Sequence, residues 1–106
     1  MSTEHTPGPW KARISDFSID VIKDDDRAFG IVHIGTSREL KEAEYDFEEA
    51  SSNAKLIAAA PELLEALIRF TEMHERGIKL AKEQGWPYRI YDEYRLARMA
   101  IKKATE

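Results

Sequence analysis

The stretch NAKLIAAAPELLEALIRF, residues 53–70, consists almost wholly of helix-forming residues, yet it carries a proline near its centre. Inside a helix, proline removes a backbone donor and its ring clashes with the carbonyl one turn earlier, at a cost of about 3 kcal/mol. At the first position of a helix the penalty disappears, because that N–H has no partner and φ is already helical. The sequence therefore predicts two helices here, one over about 47–60 and a second starting at Pro61. Glu62 and Glu65 agree with that boundary, since carboxylates in the first turns interact well with the positive end of the helix dipole.

In the first of these helices Ala50, Ala54, Ile57 and Ala58 recur at helical spacing, with Leu56 and Ala60 beside them. Small residues on that face allow a neighbouring element to come close. The second helix is expected over 61–84, with Gly85 as its C-terminal stop. Its charges form i,i+4 pairs, Glu65 with Arg69, Glu72 with Arg76 and Glu75 with Lys79. Leu63, Leu67, Phe70, His74, Ile78 and Ala81 form one stripe that Leu64 and Ile68 widen, so this helix is apolar over more than one face and reads as the spine of the fold. A last helix is expected over 90–104, from Ile90, Tyr94, Ala97, Ile101 and Ala104.

The N-terminal half has a different period. After TPGPW, which two prolines keep out of a helix, WKARI alternates apolar with charged, and SIDVIK and AFGIVHI are rich in β-branched residues. SDF reads as a short turn, and Asp24, Asp25 and Asp26 sit where a second turn is needed. GTSRELKEAEYD lacks clear periodicity and reads as a linking loop, with a helical turn allowed within it. The expected fold is α+β, an N-terminal three-stranded antiparallel β-meander followed by three α-helices, in one domain over 1–106.

Composition excludes several classes of function. The chain has no cysteine, which removes disulfides, thiolate zinc sites and a thiol nucleophile. Its net charge is −4, with 6 Lys/Arg against 12 Asp/Glu in residues 1–54 and 10 against 8 in residues 55–106. An acidic chain with no basic stripe is not expected to bind nucleic acid directly; its acidic half suits a basic partner, but for most of these carboxylates the simpler use is to keep a small protein soluble. No signal-peptide pattern opens the sequence and LIAAAPELL is too short to span a bilayer, so a cytoplasmic location is expected. His5, His33 and His74 lack metal-ligand spacing, His33 reads as a packed or edge residue of a strand rather than a buried base, and no serine stands in a nucleophile elbow. The Asp24–Asp26 run lacks the spaced oxygens of a calcium loop. Neither an enzyme nor a cofactor or metal is expected.

One stretch stands out for recognition. In WPYRIYDEYR and the residues after it, the aromatics Trp86, Tyr88, Tyr91 and Tyr94 alternate with Arg89, Arg95 and Arg98. Aromatic and arginine side chains anchor protein interfaces, and they also stack on bases and hold phosphates. The candidate binding residues are Trp86, Tyr88, Arg89, Tyr91, Arg95 and Arg98; covering an open end of the core is the alternative use for the rings.

The opening HTPGPW, the central NAKLIAAAPELLEAL and the ending ARMAIKKATE resemble small proteins encoded by bacteriophages and prophages, a group of mostly uncharacterised function. That resemblance implies an accessory phage gene product, a class that includes anti-CRISPR and other inhibitors of host defence as well as sponges for defence signalling nucleotides. The expectation is a non-enzymatic inhibitor that binds a host protein in the bacterial cytoplasm, with a nucleotide sponge and a small structural or regulatory subunit as alternatives. A homodimer or higher homo-oligomer is expected, because a helix apolar on several faces leaves surface for a second copy.

Overall fold

A computed structural model describes residues 5–25 and 27–105. Asp26 of the aspartate run, the first four residues and Glu106 lie outside the described residues. The chain is α+β: strands β1 (Trp10–Ile14), β2 (Ser18–Lys23) and β3 (Gly30–Thr36) precede helices α1 (Ser37–Glu42), α2 (Phe47–Ala58), α3 (Ala60–Gln84) and α4 (Asp92–Thr105). It forms two compact units, one over residues 5–62 and one over 63–105.

The first unit is a β1-β2-β3 antiparallel meander with α2 packed on it. Ile19 and Val21 of β2 and Ala50, Ala54 and Ala58 of α2 make the centre of its core, joined by Leu40 of α1. Trp10 and Ala12 of β1 pack against this cluster, as their alternation with Lys11 and Arg13 requires. The β2–β3 pairing is irregular: Ile19 lies opposite Gly35 but Asp20 opposite His33, and Val21 opposite Val32 but Ile22 opposite Gly30. The residues passed over, Ile34 and Ile31, are three apart, and strict alternation would send them to opposite faces. The irregularities let both pack on the core while Val32 and His33 stay exposed.

The stretch after Gly35, expected as a linking loop with a helical turn allowed within it, holds the helix α1 over Ser37–Glu42. Thr36 caps it with a full capping box, its hydroxyl accepting from the Glu39 N–H and the Glu39 carboxylate accepting from the Thr36 N–H. The spacing Thr-x-x-Glu is the sequence mark of that device. Glu44 then ends α1 at φ 56°, with the Tyr45 N–H bonded to Leu40 O and the Glu44 N–H to Lys41 O. This is a Schellman ending in which glutamate occupies the left-handed position that glycine favours. Asp46 caps α2 by accepting from the Glu48 N–H at 3.0 Å.

α2 ends at Ala58 and α3 begins at Ala60, so the break expected at Pro61 falls one residue earlier and Pro61 lies in the first turn of α3. Pro61 also has a packing role. A Cβ added to Gly8 would lie 2.9 Å from Pro61 Cβ and 3.2 Å from its Cγ, so the TPGPW segment rests its glycine on the proline of AAAP. The neighbouring Trp10 donates its indole N–H to Thr6 O at 3.1 Å.

In the second unit, α3 buries Thr71 and Ala81 and half-buries Leu64, Leu67, Ile68, His74 and Ile78. Leu63 and Phe70, expected on the same stripe, instead lie exposed with Met73 and Leu80 on a second one. In α4 the inward residues are Tyr94, Ala97 and Ile101; Ile90 precedes the helix and Ala104 is exposed. Glu65 pairs with Arg69 at 2.7 Å as expected, but Glu75 turns to α4 rather than to Lys79. Leu56 and Ala60, placed beside the packing face of α2 from the sequence, are exposed.

The Gly8–Pro61 contact yields a test. Gly8→Ala should lower stability by about 1–3 kcal/mol in urea unfolding, the range for forcing an extra methyl into a filled site. Gly30→Ala, whose added Cβ meets nothing within 4 Å, should stay within about 0.5 kcal/mol of the parent.

Candidate functional site

The helix α3 ends as α1 does, with a Schellman motif. Gly85 takes φ 69°, its N–H reaches Lys82 O at 3.3 Å, and the Trp86 N–H reaches Ala81 O at 2.8 Å. The chain then runs without helix to Tyr91, and Asp92 begins α4. Proline at 87 prevents α3 from continuing. On this connection Trp86, Tyr88, Ile90 and Tyr91 are 56, 48, 41 and 50 % exposed. Cations sit on two of the rings: Lys82 Nζ lies 5.5 Å from the Tyr88 centroid and Arg89 Cζ 5.1 Å from that of Tyr91.

The arginines of α4 are used differently. Arg98 and the Tyr94 hydroxyl both donate to Oε1 of Glu75 on α3, the tyrosine at 2.7 Å. The Tyr94 hydrogen bond, followed by the Arg98 guanidinium, holds the Glu75 carboxyl below the usual carboxylate range. Arg95 stays on its own helix, 3.9 Å from Asp92. Beneath Tyr94 lies the ring of His74, 4.6 Å away between centroids, whose Nε2 is buried and meets no hydrogen-bond partner among the described residues. Of the six candidate residues, four therefore share the connection at 86–91, Arg98 ties α4 to α3, and Arg95 stands apart.

A second feature belongs to the first unit. A cavity of about 430 Å³ opens between β3, α1 and α2, with apolar walls from Ile34, Leu40, Ala43, Ala50 and Ile57. Glu39, Tyr45 and Asn53 bring polar groups to it, and Asn53 Nδ2 donates to the Tyr45 hydroxyl at 3.3 Å. The central NAKLIAAAP stretch has the periodicity of packing alone, and the cavity carries no sign in it because one wall comes from α1, a helix too short to show a period. The Thr36/Glu39 capping spacing was the signal that could have found it.

A family comparison matches the whole chain, residues 1–106, to Salmonella phage P22 protein Y8K6. The chain belongs to this phage protein family. No curated protein and no solved structure matches it. Among the described residues of this family member, no group of His, Cys, Asp or Glu side chains has the arrangement to hold a metal ion, and no helix is long and apolar enough to cross a membrane.

A third cluster joins all three strands to α1. His33 is exposed on the edge strand β3, its Nδ1 2.7 Å from Asp20 Oδ1 on β2 and its Nε2 3.3 Å from Glu39 Oε1 on α1. Arg13 of β1 reaches the other Asp20 oxygen at 3.4 Å. With both ring nitrogens aimed at carboxylates the imidazolium is favoured, and the hydrogen bond to Asp20, then that to Glu39, raises the His33 pKa above its ordinary 6.5. The same contacts, His33 first, lower Asp20 below 3.8 and Glu39 below 4.5. The irregular β2–β3 register makes the cluster possible by setting Asp20 opposite His33.

The cluster has a signed pH dependence. A raised histidine value gives stability that is complete below 6.5 and is lost as pH rises through the folded-state value. The lowered carboxylates give stability that is lost as pH falls through theirs, so the cluster contributes most between these limits. In an NMR titration His33 should titrate above 6.5, and Asp20→Asn should return it toward that value. An unshifted His33 in the parent protein would contradict the geometry.

Proposed function

We propose that this phage protein acts by stoichiometric, non-enzymatic binding of a host protein, such as a component of CRISPR-type anti-phage defence, and that residues 86–91 form the recognition surface. The observation that carries the reading is the exposure of Trp86, Tyr88, Ile90 and Tyr91 within six residues of non-helical backbone. Aromatic side chains dominate interface hot spots, and a contiguous apolar patch on a small protein marks a contact surface. The rings are positioned before any partner arrives, because the Gly85 ending and the bonds of Glu75 to Tyr94 and Arg98 hold the two ends of the connection.

Sequestration of a signalling nucleotide is the weaker reading. Its arginines already meet carboxylates, Arg98 on Glu75 and Arg95 near Asp92, and an anionic ligand would have to displace them. Binding takes place in the host cytoplasm, and the protein works there as a homodimer. Leu63, Phe70, Met73 and Leu80 support the dimer: they lie exposed on α3 at coiled-coil intervals, where a second copy can bury them.

Trp86→Ala and Arg89→Ala should each abolish capture of the host partner from lysate without lowering the unfolding midpoint. Capture retained by both variants would overturn the surface assignment. Loss of a heat-released, chemically intact nucleotide in Arg95→Ala would favour sequestration instead. In sedimentation at micromolar concentration the parent should be a dimer and Phe70→Glu a monomer; a monomeric parent would remove the homodimer from the proposal.

A further inference from the structure

The cavity between β3, α1 and α2 takes four of its lining residues, Glu39, Leu40, Ala43 and Tyr45, from a stretch of chain that forms a belt of negative charge. Residues 39–49 hold six carboxylates, Glu39, Glu42, Glu44, Asp46, Glu48 and Glu49, against the single cation Lys41. Some are already engaged: Glu39 with His33 and Thr36, Glu42 with Arg38 at 3.1 Å, and Asp46 as the cap of α2. Glu44, Glu48 and Glu49 are exposed, and among the described residues no cation lies within ion-pair distance of them. Uncompensated charge therefore remains on Glu44, which lies between the lining residues Ala43 and Tyr45, and on Glu49, one turn before the lining Asn53, while Glu48 falls on another face of α2.

We infer that this cavity docks a basic segment of a partner protein, with one aliphatic or aromatic side chain of that segment seated against Ile34, Leu40 and Ile57. About 430 Å³ is ample for one large side chain and lies in the range of ligand-sized pockets. The apolar walls supply the anchor site, and the Asn53 amide and Tyr45 hydroxyl offer hydrogen bonds at its edge. The carboxylate belt selects the partner's sign of charge and speeds its approach. Its exposed carboxylates are divided among α1, the turn after it and the start of α2, which suits several Lys and Arg of a peptide better than the single charge of a small molecule. Two devices preform the site: the Glu44 turn, which sets Tyr45, and the capping box, which fixes Glu39. This surface lies in the first unit and does not depend on the assignment of residues 86–91.

The test uses the full chain, isotope-labelled, and a short amphipathic peptide of lysine and leucine as the probe. Saturable shift changes should centre on Ile34, Leu40, Tyr45 and Asn53 and should weaken steeply with added salt. A peptide with serine in place of leucine and one with glutamate in place of lysine should each bind at least roughly tenfold more weakly, a loss of about 1.4 kcal/mol. Ala43→Phe, which fills the cavity from its exposed edge, and the combined Glu44→Gln, Glu48→Gln, Glu49→Gln variant should each reproduce that loss with an unchanged unfolding midpoint. If Ala43→Phe fails to fold, Asn53→Phe fills the same space from α2. Equal binding of the serine peptide, unchanged affinity in the filled variants, or shift changes centred elsewhere would overturn the proposal. So would the same shifts appearing with protein concentration alone, which would make a second copy the occupant.

Discussion

The first unit depends on how closely α2 can approach the sheet. Ala50, Ala54 and Ala58 are buried to within 8 % of completely, opposite Ile19 and Val21, which have no exposure at all. A row of methyl groups facing β-branched side chains lets the helix settle without the gaps that larger residues would need to interdigitate. A larger side chain at Ala54 would lift the helix, and the lift would pass to Trp10, Ala12, Ile31 and Ile34, all packed around the same cluster. The cavity at the edge of this packing exists for the same reason. Ala50 of α2 and Ala43 at the end of α1 leave space that Leu40, Ile34 and Ile57 line but do not fill.

Two helix endings do the positioning that the surfaces need. Glu44 and Gly85 occupy the same left-handed position of a Schellman motif, and the residue after each is an aromatic at an exposed edge, Tyr45 beside the cavity and Trp86 at the start of the connection. A chain that leaves a helix in this way has its next side chain directed by backbone hydrogen bonds rather than by packing. Glycine takes the position freely, whereas glutamate does so at a cost of roughly 1 kcal/mol. The surrounding capping box and the Asp46 cap offset that cost by satisfying the helix termini on either side.

Charge is distributed to match this division. The strands, α1, α2 and their connections carry the acidic excess, part of it organised around His33 and part of it, at Glu44, Glu48 and Glu49, exposed with no ion pair among the described residues. In the second unit the carboxylate that matters most, Glu75, is taken by Tyr94 and Arg98 and serves to hold two helices together. Residues of one chemical type thus have different uses: Arg98 is structural, while Arg89 lies over Tyr91 on an exposed connection.

Local rules in the chain were enough for the order of elements. The prolines, the alternation in WKARI, the β-branched runs and the helical repeats placed the meander and the three long helices to within a residue or two, because each depends on backbone sterics and on the period of its own side chains. The α1 helix was also written locally, in Thr36 and Glu39, but too briefly for a periodicity to register. What the sequence alone did not determine needed neighbours from far along the chain. The irregular β2–β3 register, which turns Ile31 and Ile34 to one face, the meeting of His33 with Asp20 and Glu39, the diversion of Glu75 from Lys79 to α4, and the closure of a cavity around Asn53 all depend on which surfaces come together. Such contacts carry no mark in the period of a single element, because the residues that make them obey the geometry of two elements at once.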